Sequence, residues 1–186
     1  MKMRTTVAAA LIAAAIAGIP SAAVAVSASV DDPRYDQTTV KGRPTAALKA
    51  QSDLTRLGYW TLNGRLHFRF TFRDLSSGVA LPILEVNESR STGLHYRVWY
   101  SPRTGWNTPV LDRYNDNYPV TEVCHGKAGV RIDYAHNYIQ MSFPKTCFES
   151  GHDLYRPWAH SDFVSWNSAV EIRDRTAGGP TLVPNN

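Results

Sequence analysis

The sequence predicts an all-β protein, an antiparallel two-sheet sandwich of about seven to nine strands closed by one disulfide. Three observations predict it. Residues 60–73 hold two alternating apolar-polar runs separated by Asn63-Gly64, the strongest short hairpin signal. Short strand-like segments recur beyond it, separated by turn-forming residues, with no long helical period. The chain's two cysteines, Cys124 and Cys147, bracket a second hairpin pattern. Composition agrees with a globular chain: 186 residues, 43% hydrophobic, 19% charged and 11% aromatic, which excludes collagen and coiled coil.

The apolar content is uneven, since 11 of the 20 alanines fall in residues 1–28 while every aromatic residue lies beyond residue 34. Lys2 and Arg4 precede an apolar run from Val7 to Ile19, and Pro20 ends any helix there. This is the pattern of a secretory signal peptide, residues 1–25, cut after Ala25 or alternatively after Ala28. The run is shorter than the roughly 18 apolar residues that a membrane span needs. Residues 26–50 read as an irregular leader, poorly packed from Asp31 to Pro44. Thr45 to Leu57 fits either a short helix, with Thr45 as N-cap and Gly58 just past its end, or a strand leading into the hairpin. The strand, from about Asp53 and preceded by irregular chain, is the favoured reading.

The β-sandwich domain spans residues 51–176. In its first hairpin Leu66, Phe68, Phe70 and Phe72 share one face, and Arg65, His67, Arg69, Thr71 and Arg73 share the other. A two-residue turn sets Tyr59 opposite Phe68 and Leu57 opposite Phe70 on the buried side, and Trp60 opposite His67 outside. Further strands are expected at Val79 to Val86, Leu94 to Tyr100, Pro109 to Arg113, Ala128 to Tyr134, Tyr138 to Phe143 and Ala169 to Arg173. Ser89 to Gly93, Ser101 to Gly105 and Asn115 to Asn117 supply turns. The segments before and after Ala135-His136-Asn137 form the second hairpin. In an oxidising compartment Cys124 and Cys147 pair, clamp its open end and close a loop of about 24 residues, a stabilisation of roughly 3 kcal/mol. Residues 177–186 read as a flexible tail.

Loss of Lys2 and Arg4 leaves 18 basic against 16 acidic side chains, a net charge of +2. That balance gives little support to nucleic-acid binding, which needs basic residues concentrated on one face. No membrane attachment is expected after signal cleavage.

No Gly-x-Ser-x-Gly elbow, phosphate loop, His-Glu-x-x-His helix or EF-hand loop is present, so no catalytic residue, metal or cofactor is assigned. The aromatic residues offer the better clue. Trp60, with Arg65, His67 and Arg69 across the strand pair, and Trp99, of opposite parity to its strand's other apolar residues, are the candidate ligand-binding residues. They form either a ligand platform or core packing. A competing site is His152, Asp153, His160 and Asp162, placed in a loop-like stretch after Cys147, where imidazole and carboxylate could hold a metal or sugar or serve a hydrolase. Asp112, Asn115, Asp116 and Asn117 offer oxygens for calcium but read first as a turn.

Several pieces resemble small secreted β-sandwich proteins of actinomycetes: the acidic leader residues Asp31, Asp32 and Asp36, Asp53-Leu54 at a strand start, Arg73-Asp74-Leu75, Cys124-His125-Gly126, and Phe143-Pro144-Lys145-Thr146-Cys147-Phe148. The resemblance covers roughly residues 50–175 and implies export and a sandwich fold. The expected function is therefore that of a secreted, non-enzymatic protein, extracellular or wall-associated, whose partner is a polysaccharide or another secreted protein. A secreted hydrolase using loop residues near His152 and His160 is one alternative. An inhibitor or effector with a rigid loop near the disulfide is another.

Overall fold

The structure is a computed structural model, and it describes residues 27–77, 81–87, 95–102, 108–115, 118–149, 156–164 and 169–181. Residues 1–25, expected from the sequence to be a signal peptide, lie outside these, as do Val79, Leu94, Asp116, Asn117, His152, Asp153 and the tail beyond residue 181. In chain order the elements are β1 (Ser27–Asp31), β2 (Thr38–Lys41), α1 (Ala46–Ser52), β3 (Leu54–Leu62), β4 (Arg65–Phe72), β5 (Ile83–Asn87), β6 (His95–Tyr100), β7 (Val110–Asn115), β8 (Tyr118–Val123), β9 (Gly129–Asp133), β10 (Tyr138–Pro144), β11 (Trp158–Val164) and β12 (Glu171–Arg175). A 3-10 turn, Lys145–Cys147, follows β10.

These strands form two antiparallel sheets, a five-stranded one ordered β1-β3-β4-β10-β9 and a seven-stranded one ordered β2-β12-β11-β5-β6-β7-β8. Asn63 and Gly64 both take positive φ, 51° and 69°, as a twist-matched two-residue hairpin turn requires. The resulting register pairs Leu57 with Phe70, Tyr59 with Phe68 and Trp60 with His67, as expected. Leu66, Phe68, Phe70 and Phe72 are buried along β4, as are Ile139, Met141 and Phe143 on β10. They join Leu84, Val86, Tyr96, Val98, Tyr100 and Leu111 of the other sheet in one core cluster. Phe68 and Phe143 meet edge to face, with ring centroids 6.5 Å apart.

Twelve strands among the described residues exceed the expected seven to nine, because β1, β2, β8 and β11 were not anticipated. The leader is not irregular. Its β1 is an edge strand on β3, from Ser27 opposite Trp60 to Asp31 opposite Arg56, and its β2 pairs with β12. Neither strand is strongly buried, so neither writes an apolar alternation into the sequence; both are held by backbone bonds to an existing edge. Residues 46–52 are helical rather than irregular, with Thr45 Oγ1 accepting the Leu48 N–H at 3.2 Å. The strand that follows begins at Leu54, close to the expected position. His160, Ser161 and Asp162 lie on β11, not in a loop. The inward residues there include Ala159 and Ser161, both fully buried and too small or polar to mark a strand.

The start of the tail is docked as well. Gly179 donates its N–H to Pro157 O at 2.9 Å, and the buried Tyr59 hydroxyl donates to Pro180 O. A Cβ on Gly179 would fall 2.5 Å from that hydroxyl, so glycine permits the close approach. Between β1 and β2 the leader crosses from one sheet to the other, and Tyr35 donates its N–H to Asp53 Oδ2 at 3.0 Å on the way. Burial, then Asp174, Asp36 and Asp53, push the Asp32 carboxyl up to about 7. Burial also pushes Asp174 up to about 7, against hydrogen bonds from Leu54 and Arg175 that work the other way.

Cys124 and Cys147 are bonded, with Cα atoms 5.6 Å apart. Cys124 follows β8 of the seven-stranded sheet and Cys147 ends the turn after β10 of the five-stranded one. The bridge thus ties the two sheets at a crossover besides bracketing the β9-β10 hairpin. None of the described helices is long and apolar enough to cross a membrane. Replacing both cysteines with serine should lower the unfolding free energy by roughly 3 kcal/mol in urea titrations. A loss below about 1 kcal/mol would mean that the crossover holds without the bridge.

Candidate functional site

Because side chains alternate along a strand, the register that buries the phenylalanines also fixes what the five-stranded sheet shows to solvent. Three rows cross its outer face. The first runs Ser27, Trp60, His67, Ser142; the second Ser29, Gly58, Arg69, Gln140, Arg131; the third Asp31, Arg56, Thr71, Tyr138, Asp133. Aromatic rings and guanidinium groups interleave on this face.

Trp60 stacks on His67, with centroids 5.1 Å apart and planes within 4°. The Arg69 guanidinium lies 5.1 Å from the Trp60 ring and 4.3 Å from the Tyr138 ring, a doubly faced cation-π contact. Arg69 Nη2 also donates to Gln140 Oε1 at 3.0 Å. That fixes the Gln140 amide, so its Nε2 donates to His67 Nδ1, 3.2 Å away, which requires a neutral imidazole. Burial, aided by Arg65 and Arg69, lowers the His67 pKa, while a backbone hydrogen bond with Leu62 opposes the shift. Arg69 Nε is buried and has no hydrogen-bond partner among the described residues.

Beside Trp60 the face dips. A depression of about 480 Å³ is lined by Ser29, Arg56, Gly58, Trp60, Arg69 and Thr71, among others. Gly58 makes the floor: it occupies the middle of the second row, and an added Cβ would meet only Trp60 Cζ3, at 4.0 Å. On one flank Arg56 Nη2 donates to Ser29 Oγ at 2.7 Å and its Nε pairs with Asp31 Oδ1 at 3.3 Å. The walls therefore include one indole, two guanidinium groups and the hydroxyl residues Ser27, Ser29 and Thr71.

The other sequence candidates separate in space. Arg65 is a structural clasp, donating to Ser142 O at 2.9 Å and Lys127 O at 3.0 Å. Trp99 is not beside Trp60. It lies on β6 of the other sheet, facing away from the core, and its Nε1 donates to Asp112 Oδ2 at 3.0 Å. Asp112 is also bound by Arg97 at 2.7 Å and is 5% exposed, so it belongs to an ion pair between β6 and β7. On β11, His160 Nε2 lies 3.3 Å from Asp162 Oδ1, which Arg173 Nε shares at 3.5 Å. Ser161, the intervening hydroxyl, points into the core and cannot act as a nucleophile beside them. Gly58, Arg56, Ser29, Thr71, Gln140 and Tyr138 are the site residues that sequence reasoning missed. The expected hairpin register placed Gly58 and Thr71 on the Trp60 face, but the partners from β1 and β10 required long-range pairing.

Because the folded His67 pKa is below its ordinary 6.5, the unfolded chain takes up the proton first. The stability present above pH 6.5 is lost as pH falls through the folded value. Urea unfolding at pH 7 and pH 5 should show a larger acid-induced loss for wild type than for His67→Phe, which keeps the stack but cannot charge. Equal losses would contradict this assignment.

No family model matches the chain, and no curated protein or solved structure matches it, so a function has to rest on the geometry of this face.

Proposed function

We propose that this protein is exported and binds polysaccharide of the extracellular space or cell envelope, without catalysing a reaction, through the outer face of its five-stranded sheet. The observation that carries the reading is the depression beside Trp60, floored by Gly58. A pyranose ring offers a flat C–H face to an indole and a rim of hydroxyls to polar side chains, and these are the groups this hollow provides. Arg56 and Arg69 donate, while Ser29 and Thr71 do either. The platform is held before any ligand arrives, because His67, Gln140 and Tyr138 fix Trp60 and Arg69 from the far side. The charged N-terminus, the apolar run after it and the absence of free cysteines support export.

Glycoside hydrolysis needs two carboxyl groups about 5–9.5 Å apart. Asp31 on β1 and Asp133 on β9, the carboxylates of this face among the described residues, stand four strand spacings apart, roughly 19 Å. That separation supports binding over cleavage.

Calorimetric titration of the purified protein with soluble glucan, xylan and solubilised wall peptidoglycan tests the reading. At least one should bind, and Trp60→Ala should weaken it about tenfold or more. Gly58→Val should weaken it similarly by filling the hollow, with little change in thermal stability, since a β-branched residue suits a strand. Failure of wild type to bind any of the three, or equal binding by both variants, would overturn the proposal.

A further inference from the structure

Electrostatics narrows the class of sugar that the hollow beside Trp60 takes, on the footing that the hollow is a polysaccharide site. Within the strands of the five-stranded sheet, the charged residues on the outer face are Arg56, Arg65, Arg69 and Arg131 against Asp31 and Asp133. Two pairs cancel. Arg56 Nε lies 3.3 Å from Asp31 Oδ1, and Arg131 Nη2 lies 3.0 Å from Asp133 Oδ2. Arg65 meets no carboxylate among the described residues, but its Nε and Nη2 are engaged by Ser142 Oγ, Ser142 O and Lys127 O. Arg69 differs from all three. Among the described residues it makes no ion pair, and its charge rests on the π faces of Trp60 and Tyr138 instead of a counter-ion.

The hollow reaches this guanidinium. Gly58 stands directly across from Arg69 on β3, so that strand position carries no side chain to cover it. The lining includes both Arg56 and Arg69 and no Asp or Glu. A guanidinium has five N–H donors, and Arg69 gives one of them to a protein acceptor, Gln140 Oε1. Its Nη1 has no acceptor among the described residues and, unlike the buried Nε, keeps solvent-accessible surface. The donors are thus held in place by two rings and one amide before a ligand arrives. A sugar hydroxyl would meet them as a neutral acceptor, whereas a carboxylate would form charge-assisted hydrogen bonds, roughly twice as strong.

We propose that the hollow selects acidic sugars: a uronate residue lies against Trp60, and its carboxylate accepts N–H bonds from Arg69. The Arg69 guanidinium carbon is 5.1 Å from the centre of the Trp60 ring, so a single sugar residue touches both. Ser27, Ser29 and Thr71 line the same hollow and meet the ring hydroxyls. Arg56 is already neutralised by Asp31 and serves hydroxyls in place of the charge. The same arrangement rejects protonated amino-sugar polymers, because their ammonium groups would face Arg69 with no carboxylate in the lining to offset it.

Calorimetric titration with polygalacturonate and with its fully methyl-esterified form compares a charged and a neutral polymer of one backbone. Wild type should bind polygalacturonate about tenfold more tightly or better, and the advantage should shrink as salt is raised. Arg69→Gln should bring the two polymers to within about threefold of each other. Arg69→Lys, which keeps the charge but loses the fork of donors, should retain an intermediate preference. Equal affinity of wild type for the two polymers, or a preference that Arg69→Gln leaves intact, would overturn this inference and leave the polysaccharide reading standing. Binding of neither polymer would overturn it as well, and if glucan, xylan and peptidoglycan also fail to bind, the polysaccharide reading falls with it.

Discussion

The Asn63-Gly64 turn is the constraint on which the rest of the molecule depends. Two consecutive residues with positive φ lock β3 to β4 in one register, and a slip of a single residue would exchange the two faces of that pair. With the register as it is, four apolar side chains of β4 enter the core, and His67, Arg69 and Thr71 line up outside with Trp60, Gly58 and Arg56. Core and platform are therefore one decision made at one turn. Burial of Phe68, Phe70 and Phe143, fully or nearly fully removed from water, holds the inner face at roughly 2–3 kcal/mol each. The outer face then needs only cross-strand contacts to keep its shape.

Those contacts show why the face is stiff despite being wet. The groups at its centre have neighbours on both adjoining strands: His67 between Trp60 and Gln140, Arg69 between Trp60 and Tyr138. Glycine at position 58 is the exception, and it creates the hollow. The periphery is secured differently. The disulfide and the docked tail each join one sheet to the other. The disulfide therefore stabilises a connection between the sheets rather than either sheet by itself.

How much of this was legible in the sequence followed from whether the signal was local. The first hairpin could be read to the residue, because the turn and both alternations lie within residues 57–73. The second hairpin and the cysteine pairing were legible for the same reason. The edge strands β1 and β2 were not, since Ser-Ala-Ser-Val-Asp and Thr-Thr-Val-Lys bury little and are recruited by partners far along the chain. Strand β11 was hidden by alanine and serine on its inner face. Short α1 falls where irregular chain before the strand was the favoured reading, although Thr45 as N-cap pointed to a helix. Trp60 was found from its parity alone, but the hollow beside it needs Ser29 from β1. Trp99 shared the parity argument and still belongs to a different sheet, because parity assigns a face and not which sheet owns it.

The most direct test is a map of proton-proton contacts from the Trp60 indole by isotope-edited NMR. The account predicts contacts to His67 and Arg69, none to Phe68, Phe70 or Phe143, and Tyr59 contacting Phe68 from the opposite side. Indole contacts to the buried phenylalanines would show that the register is displaced by one residue, and both the core and the platform described above would be wrong.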